Sequence, residues 1–164
     1  MIKYKEFVIV SGKAEDEVSH LNAFDKALMD AGIAEQNIIP VSSILAENPV
    51  KKNELPEIPV GEMIHVVMAR EDGVKGETIS SGLICALGVN HNRNNTFHGI
   101  IAEAHGKVTE EKLKVELEEK IKQMAKIRKF EIQSTQMNIS SIEKIKQKCA
   151  CTLSVLVYRK PVNH

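Results

Sequence analysis

Residues 62–69, 77–89 and 96–104 read EMIHVVMA, ETISSGLICALGV and TFHGIIAEA. Each run has the length and the apolar, β-branched character of a buried strand. GVKG at 73–76 and HNRNNT at 91–96 are turn and polar-loop chemistry, with no helical pattern between the runs. Strands that follow one another without intervening helices do not build a doubly wound parallel sheet. They point to hairpins in a mixed or antiparallel arrangement.

The flanking segments complete the pattern. Glu6 to Ser11 reads as a strand and GKAEDEVS at 12–19 as a polar loop. Ser19 is a plausible N-cap for a helix through LNAFDKALMDA to Gly32, with an apolar stripe of Leu21, Phe24, Ala27, Leu28 and Ala31. Asn37 to Val41 is a further strand. Pro40 within it cannot donate a ladder hydrogen bond, which favours an edge or a bend. Residues 47–61 hold three of the five prolines and read as a long surface connection. Thr109 opens the longest helix, to Lys129, with an acidic first turn and a basic end that suit the helix dipole. FEIQSTQMNIS and CACTLSVLVYR close the chain as strands, the second with the character of a buried one. The expected fold is a single α/β domain over 1–164, a sandwich of mixed or antiparallel sheets flanked by helices in αββα layers.

A chain of 164 residues with 43% hydrophobic content can bury one sizeable core. Lys plus Arg equal Asp plus Glu at 22 each, so no global field draws the protein to nucleic acid or an anionic membrane. No run of eighteen apolar residues occurs, and the apolar stretch near the N-terminus is too short for a signal-peptide core. A cytoplasmic protein whose partner is a small molecule or another protein is expected. Cys85, Cys149 and Cys151 form no disulfide framework.

Several familiar signals are missing. There is no G-x-S-x-G elbow, and the glycines of GVKGETISSG match neither a P-loop nor a dinucleotide fingerprint. His91, His98 and His105, with Cys149 and Cys151, match no recognised zinc spacing, so no metal is expected. The alternating charges of Lys112 to Lys129 read as a solvated helix face. Two carboxylates stand out. Glu103 sits among apolar neighbours in IIAEA, where ionisation is costly unless the pKa rises or a partner is found; alternatively the strand ends there and the side chain reaches water. Asp25 lies on the flank of its helix's apolar stripe rather than opposite it, and could equally be a boundary residue pairing with a surface lysine. Ser42 and Ser43 stand back to back in NIIPVSSIL, which on its own reads as the end of a strand.

Taken together, LNAFDKALMDAGI, QNIIPVSSIL, VGEM, GETIS, GIIAEAHGK, QMAKI and CACTLSVLVYRK occur in an order and spacing that resemble the pyruvoyl-dependent arginine decarboxylases. The resemblance covers nearly the whole chain from Phe7. It departs after the serines, where Leu45-Ala46-Glu47-Asn48-Pro49 stands in place of the Met and Pro that relatives often carry.

The resemblance implies a proenzyme that cuts itself between Ser42 and Ser43 into 1–42 and 43–164, leaving a covalent pyruvoyl group on residue 43. It implies decarboxylation of L-arginine to agmatine without pyridoxal phosphate, with Glu103 as proton donor, Asn37 as a polar group aiding cleavage or positioning, and Asp25 as partner of the substrate guanidinium. Asn37 would lie roughly 20 Å from Ser43 along an extended strand, so its role requires a bend or a neighbouring subunit. Similar enzymes are homotrimers, sometimes doubled to hexamers, with sites between subunits. Two alternatives stay open: the same chemistry on another amino acid such as histidine, and an uncleaved binding relative.

Overall fold

A computed structural model describes residues 4–159. In chain order the elements are β1 (Glu6–Asp16), α1 (His20–Asp30), β2 (Asn37–Pro40), β3 (Ile44–Leu45), β4 (Val50–Lys51), β5 (Met63–Val74), β6 (Ile79–Asn90), β7 (Thr96–Gly106), α2 (Glu110–Arg128), β8 (Phe130–Ile142) and β9 (Cys149–Arg159). A five-stranded sheet runs β2-β5-β9-β1-β4 and a four-stranded sheet runs β3-β7-β6-β8. β9, buried at every position except Arg159, occupies the centre of the first sheet, antiparallel to both β1 and β5. β2 is parallel to β5 at the edge, where Pro40 is tolerated.

The strand period of two divides each sheet into two faces, and three apolar layers result. Ala23, Ala27, Leu28 and Ala31 of α1 pack on Val66, Leu153, Val155 and Val157, outside the first sheet. Leu113, Leu117, Ile121 and Ala125 of α2 pack on Ile84, Ala86, Ile100 and Ala102, outside the second. Between the sheets lie Phe7, Leu45, Val67, Leu83, Cys85, Ile101, Leu156 and Tyr158. This is the αββα sandwich the sequence predicts. α2 also begins and ends as expected, with the Thr109 side chain capping Lys112 N–H and Lys129 in the left-handed conformation at φ 50°.

Two expectations at the N-terminus need correction. β1 does not stop at Ser11; it pairs with β9 through to Asp16, so most of the supposed polar loop is strand. α1 also departs at its first turn: Phe24, Ala27, Leu28 and Ala31 of the expected stripe pack in the core, but Leu21 is 72% exposed and Ala23 is fully buried. One contact accounts for both. A Cβ on Gly12 would stand 2.0 Å from the Ala27 carbonyl oxygen and 2.9 Å from the Ala31 nitrogen, so α1 lies directly on β1 at this glycine. Such close approach requires small residues on the helix, and the alanine row turns inward at the expense of Leu21. Ser19 caps the helix as expected, and Asp16 Oδ1 accepts the Val18 and Ser19 amides just before it. Those two bonds, after the Lys26 ammonium at 2.7 Å, hold the Asp16 carboxyl down at about 2.

Gly12→Ala should therefore separate α1 from the sheet and lower stability by about 3 kcal/mol, at the upper end for overpacking. A urea titration of the variant with an unshifted midpoint would remove this contact from the account.

Candidate active site

The chain leaves β2 at Pro40 on the edge of one sheet and enters β3 at Ile44 on the edge of the other. Val41 N–H donates to the Val66 carbonyl at 2.9 Å, the last backbone bond of the β2 end to β5. The Ser43 carbonyl accepts from Ile101 N–H at 3.1 Å, the first tie to the four-stranded sheet. The Ser42–Ser43 peptide bond lies between these anchors. Ile44 N–H turns back to the Ser42 carbonyl at 3.0 Å, closing a three-residue turn centred on Ser43. The double serine is thus neither an ordinary strand end nor a free loop.

β3 is short but firmly seated. Ile44 faces Ile100 and Leu45 faces Gly99 across the antiparallel pair. A Cβ at Gly99 would approach Leu45 Cδ1 to 2.6 Å, so the glycine is what allows Leu45 to be buried there. The departure from the family pattern after Ile44 consequently puts a well-packed leucine in the core.

Glu103 shares the inter-sheet face of β7 with Ile101, while Ala102 and Ala104 point to α2. Ser43, Ile101, Ala102 and Glu103 line a cavity of about 580 Å³, whose other wall is Glu119, Lys120, Gln123, Met124 and Ile127 of α2. Ser43 and the Glu103 carboxyl share this cavity. Loss of hydration raises the pKa of Glu103 above the ordinary carboxylate range, and the Ser43 hydroxyl, His105 and Lys120 act in the opposite direction. Both readings of this residue from sequence hold in part: its carboxyl is desolvated, yet one side of the residue faces solvent in the single chain. Lys120 Nζ donates to the Glu103 backbone carbonyl at 3.2 Å and pairs with Glu116 at 2.6 Å, which fixes the ammonium beside the cavity. His105 is held by Glu71 at 2.7 Å.

The other sequence candidates lie elsewhere. Asp25 is exposed on α1, in the outer layer opposite α2, and does not line the Ser43 cavity. Asn37 begins β2, with its side-chain amide donating to the Gly61 carbonyl at 2.8 Å, so the whole strand separates it from Ser43. His91 bonds Asn95 and Glu131, and His98 is buried against Asn90 and Phe130. Cys149 and Cys151 face the α1 core together.

A family model for the pyruvoyl-dependent arginine decarboxylases matches residues 6–163. This chain belongs to that family. Among its relatives, the pyruvoyl-dependent arginine decarboxylase of Methanopyrus kandleri is 29% identical over 94% of this chain and 96% of its own length. That of Pyrococcus abyssi is 31% identical over 93% and 94% of the respective chains. That of Methanocaldococcus jannaschii is 35% identical over 73% and 67%.

As a member of the family the protein is a decarboxylase that depends on a covalent pyruvoyl group. The surroundings of Ser43 fit that group: its carbonyl is already held by a backbone amide, and its side chain faces a largely apolar cavity with one protonatable carboxyl. The cavity beside Ser43 is also lined by a surface that the sequence left as solvated. Lys120, Gln123, Met124 and Ile127 form a second helical face beside the buried stripe Leu113, Leu117, Ile121 and Ala125. Ile127, apolar yet 69% exposed, was the available signal.

Because Lys120 lowers the Glu103 pKa, Lys120→Met should move the carboxyl titration to higher pH, away from the ordinary carboxylate range. A ¹³C NMR titration of the labelled glutamate reads the shift directly; an unchanged or lower value would show that the ammonium does not act on the carboxyl.

Proposed function

We propose that this chain cuts itself between Ser42 and Ser43, carries the resulting pyruvoyl group on residue 43, and decarboxylates L-arginine to agmatine and carbon dioxide. The observation that carries the proposal is the pairing of two features at one peptide bond: the Ser42 carbonyl held by Ile44 N–H, and Ser43 lining one cavity with Glu103.

In the self-cleavage, Ser43 Oγ bonds to the Ser42 carbonyl carbon and the Ser42–Ser43 C–N bond breaks. The hydroxyl proton passes to the departing nitrogen, giving an ester and a free amine at residue 43. Loss of the residue 43 α-proton and scission of the Cβ–O bond expel Ser42 as a carboxylate, leaving a dehydroalanine. One water then adds, one ammonia leaves, and a ketone remains. The tetrahedral stage places negative charge on the Ser42 oxygen, where Ile44 N–H is already directed.

The chemistry a pyruvoyl group supplies is condensation with the substrate α-amine and acceptance of the electron pair that carbon dioxide leaves behind. The protein's residues do the rest. Ile101, Ala102, Met124 and Ile127 present an apolar wall that disfavours the substrate carboxylate and favours its loss. Ile101 N–H keeps the residue 43 carbonyl in place. Glu103, protonated more readily than an ordinary carboxyl, returns a proton to the α-carbon.

Asp25 takes the guanidinium through the paired geometry that a carboxylate offers to a planar cation. Its exposure on the layer opposite α2 supports its supply by a neighbouring subunit, as in a homotrimer or a hexamer. Asn37 is assigned on the same terms, acting after cleavage or across the interface. Exposed Leu21, Met63 and Ile127 provide apolar surface for such an assembly. A cytoplasmic location accords with the charge balance, and no helix among the described residues is long and apolar enough to cross a membrane.

Intact mass spectrometry of the purified protein should show two fragments, the larger beginning with a pyruvoyl at residue 43 and releasing carbon dioxide from arginine. Ser43→Ala should stay in one piece and be inactive; a cleaved or active variant refutes the assignment. Glu103→Gln should still form the pyruvoyl yet lose kcat by about 10²-fold, the usual scale for a positioned acid. Near-normal kcat would take Glu103 out of the reaction.

A further inference from the structure

The two serines look into different cavities. Ser43 lines the Glu103 cavity, whereas Ser42 lines a separate one of about 400 Å³ with Tyr4, Val41, Ile44, His65 and Tyr158. Across this second cavity the Tyr158 hydroxyl donates to the Ile44 carbonyl at 2.9 Å. Tyr158 comes from β9, at the centre of the five-stranded sheet, so the bond joins that sheet to the edge strand β3 of the other.

The register of β3 gives the contact its meaning. Ser43 offers its carbonyl to Ile101, so the ladder bonds fall at Ser43 and Leu45, and the amide and carbonyl of Ile44 face away from β7. On an edge strand these groups would turn to solvent. Here both are engaged: the amide by the Ser42 carbonyl, the carbonyl by Tyr158.

We propose that Tyr158 is the positioning residue for self-cleavage: by holding the Ile44 carbonyl it keeps the Ile44 amide directed at the Ser42 oxygen, where charge develops in the acyl shift. The inference rests on the scission proposed above and assigns the two cavities separate tasks, breaking the bond on the Ser42 side and turning over substrate on the Ser43 side. Tyr158 suits a permanent donor. It is 9% exposed, and burial first, with Cys85 and Glu103 nearby, pushes its hydroxyl up to about 12, so it keeps its proton.

The test is Tyr158→Phe, which removes the hydroxyl and leaves the ring among Phe7, Leu45, Cys85 and Leu156. Freshly synthesised chain is followed by mass spectrometry for fragment appearance, and kcat is measured per pyruvoyl formed. Scission should slow at least 10-fold, by more than any loss in kcat per processed site. Hydroxylamine, which cleaves an accumulated ester, should not restore the rate, because the defect precedes the ester. Melting of the same substitution in the uncleavable Ser43→Ala background should remain cooperative. Unslowed scission, full rescue by hydroxylamine or loss of folding in that background would each overturn the role of Tyr158. If the unsubstituted chain itself stays intact, the scission reading fails and this inference with it.

Discussion

Three residues, Val41 to Ser43, carry the chain from the edge of the five-stranded sheet to the edge of the four-stranded one. Each sheet holds one side of this crossing by a backbone hydrogen bond, Val41 to Val66 and Ile101 to Ser43. So short a connection leaves the Ser42–Ser43 peptide no ladder partner of its own, and Ile44 N–H folds back onto the Ser42 carbonyl instead. The rest of the architecture serves to keep the two sheet edges where the crossing needs them. The central layer does this with apolar contacts from both sheets, and Leu45 enters that layer only because Gly99 has no side chain.

Electrostatics and packing act together around this point. Glu103 would be an ordinary surface acid if β7 ended one turn of the pleat earlier. On the inter-sheet face, beside Ile101 and beside the α2 wall, it loses part of its hydration and pairs directly with no counter-ion among the described residues. His105 is held by Glu71 and Lys120 is shared between Glu116 and a backbone carbonyl, so both moderate the carboxyl rather than neutralising it. A carboxyl held in that intermediate condition takes up a proton more readily than an ordinary carboxylate and still exchanges with water, which is what a proton donor in repeated turnover requires.

Much of this was legible in the chain. The long helix was marked at both ends by Thr109 and Lys129, and the run of strands from Met63 to Gly106 excluded a doubly wound sheet. Glu103 was conspicuous because a charge among apolar neighbours needs an explanation. The length of β1 and the exposure of Leu21 on α1 were not legible. GKAED has the composition of a loop, and only the contact of Gly12 with the Ala27 carbonyl shows why a glycine there belongs to a strand. Leu21 fitted a helical stripe by spacing, but spacing cannot register how closely a helix must approach its sheet.

What the sequence by itself determined is the set of elements, their αββα arrangement and the family, because hydrophobic period, caps and motif order are local properties of the chain. What only the tertiary structure decided is which groups meet. It brought Ser43 to Glu103, set α2 residues that look solvated along the cavity, and placed Tyr158, 114 residues from Ile44, against the segment following the serines. It also kept Asn37 and Asp25 away from Ser43 within one chain. The physical reason is that such meetings depend on strand register and on the distance between two packed sheets, and neither is encoded in the spacing of any one segment.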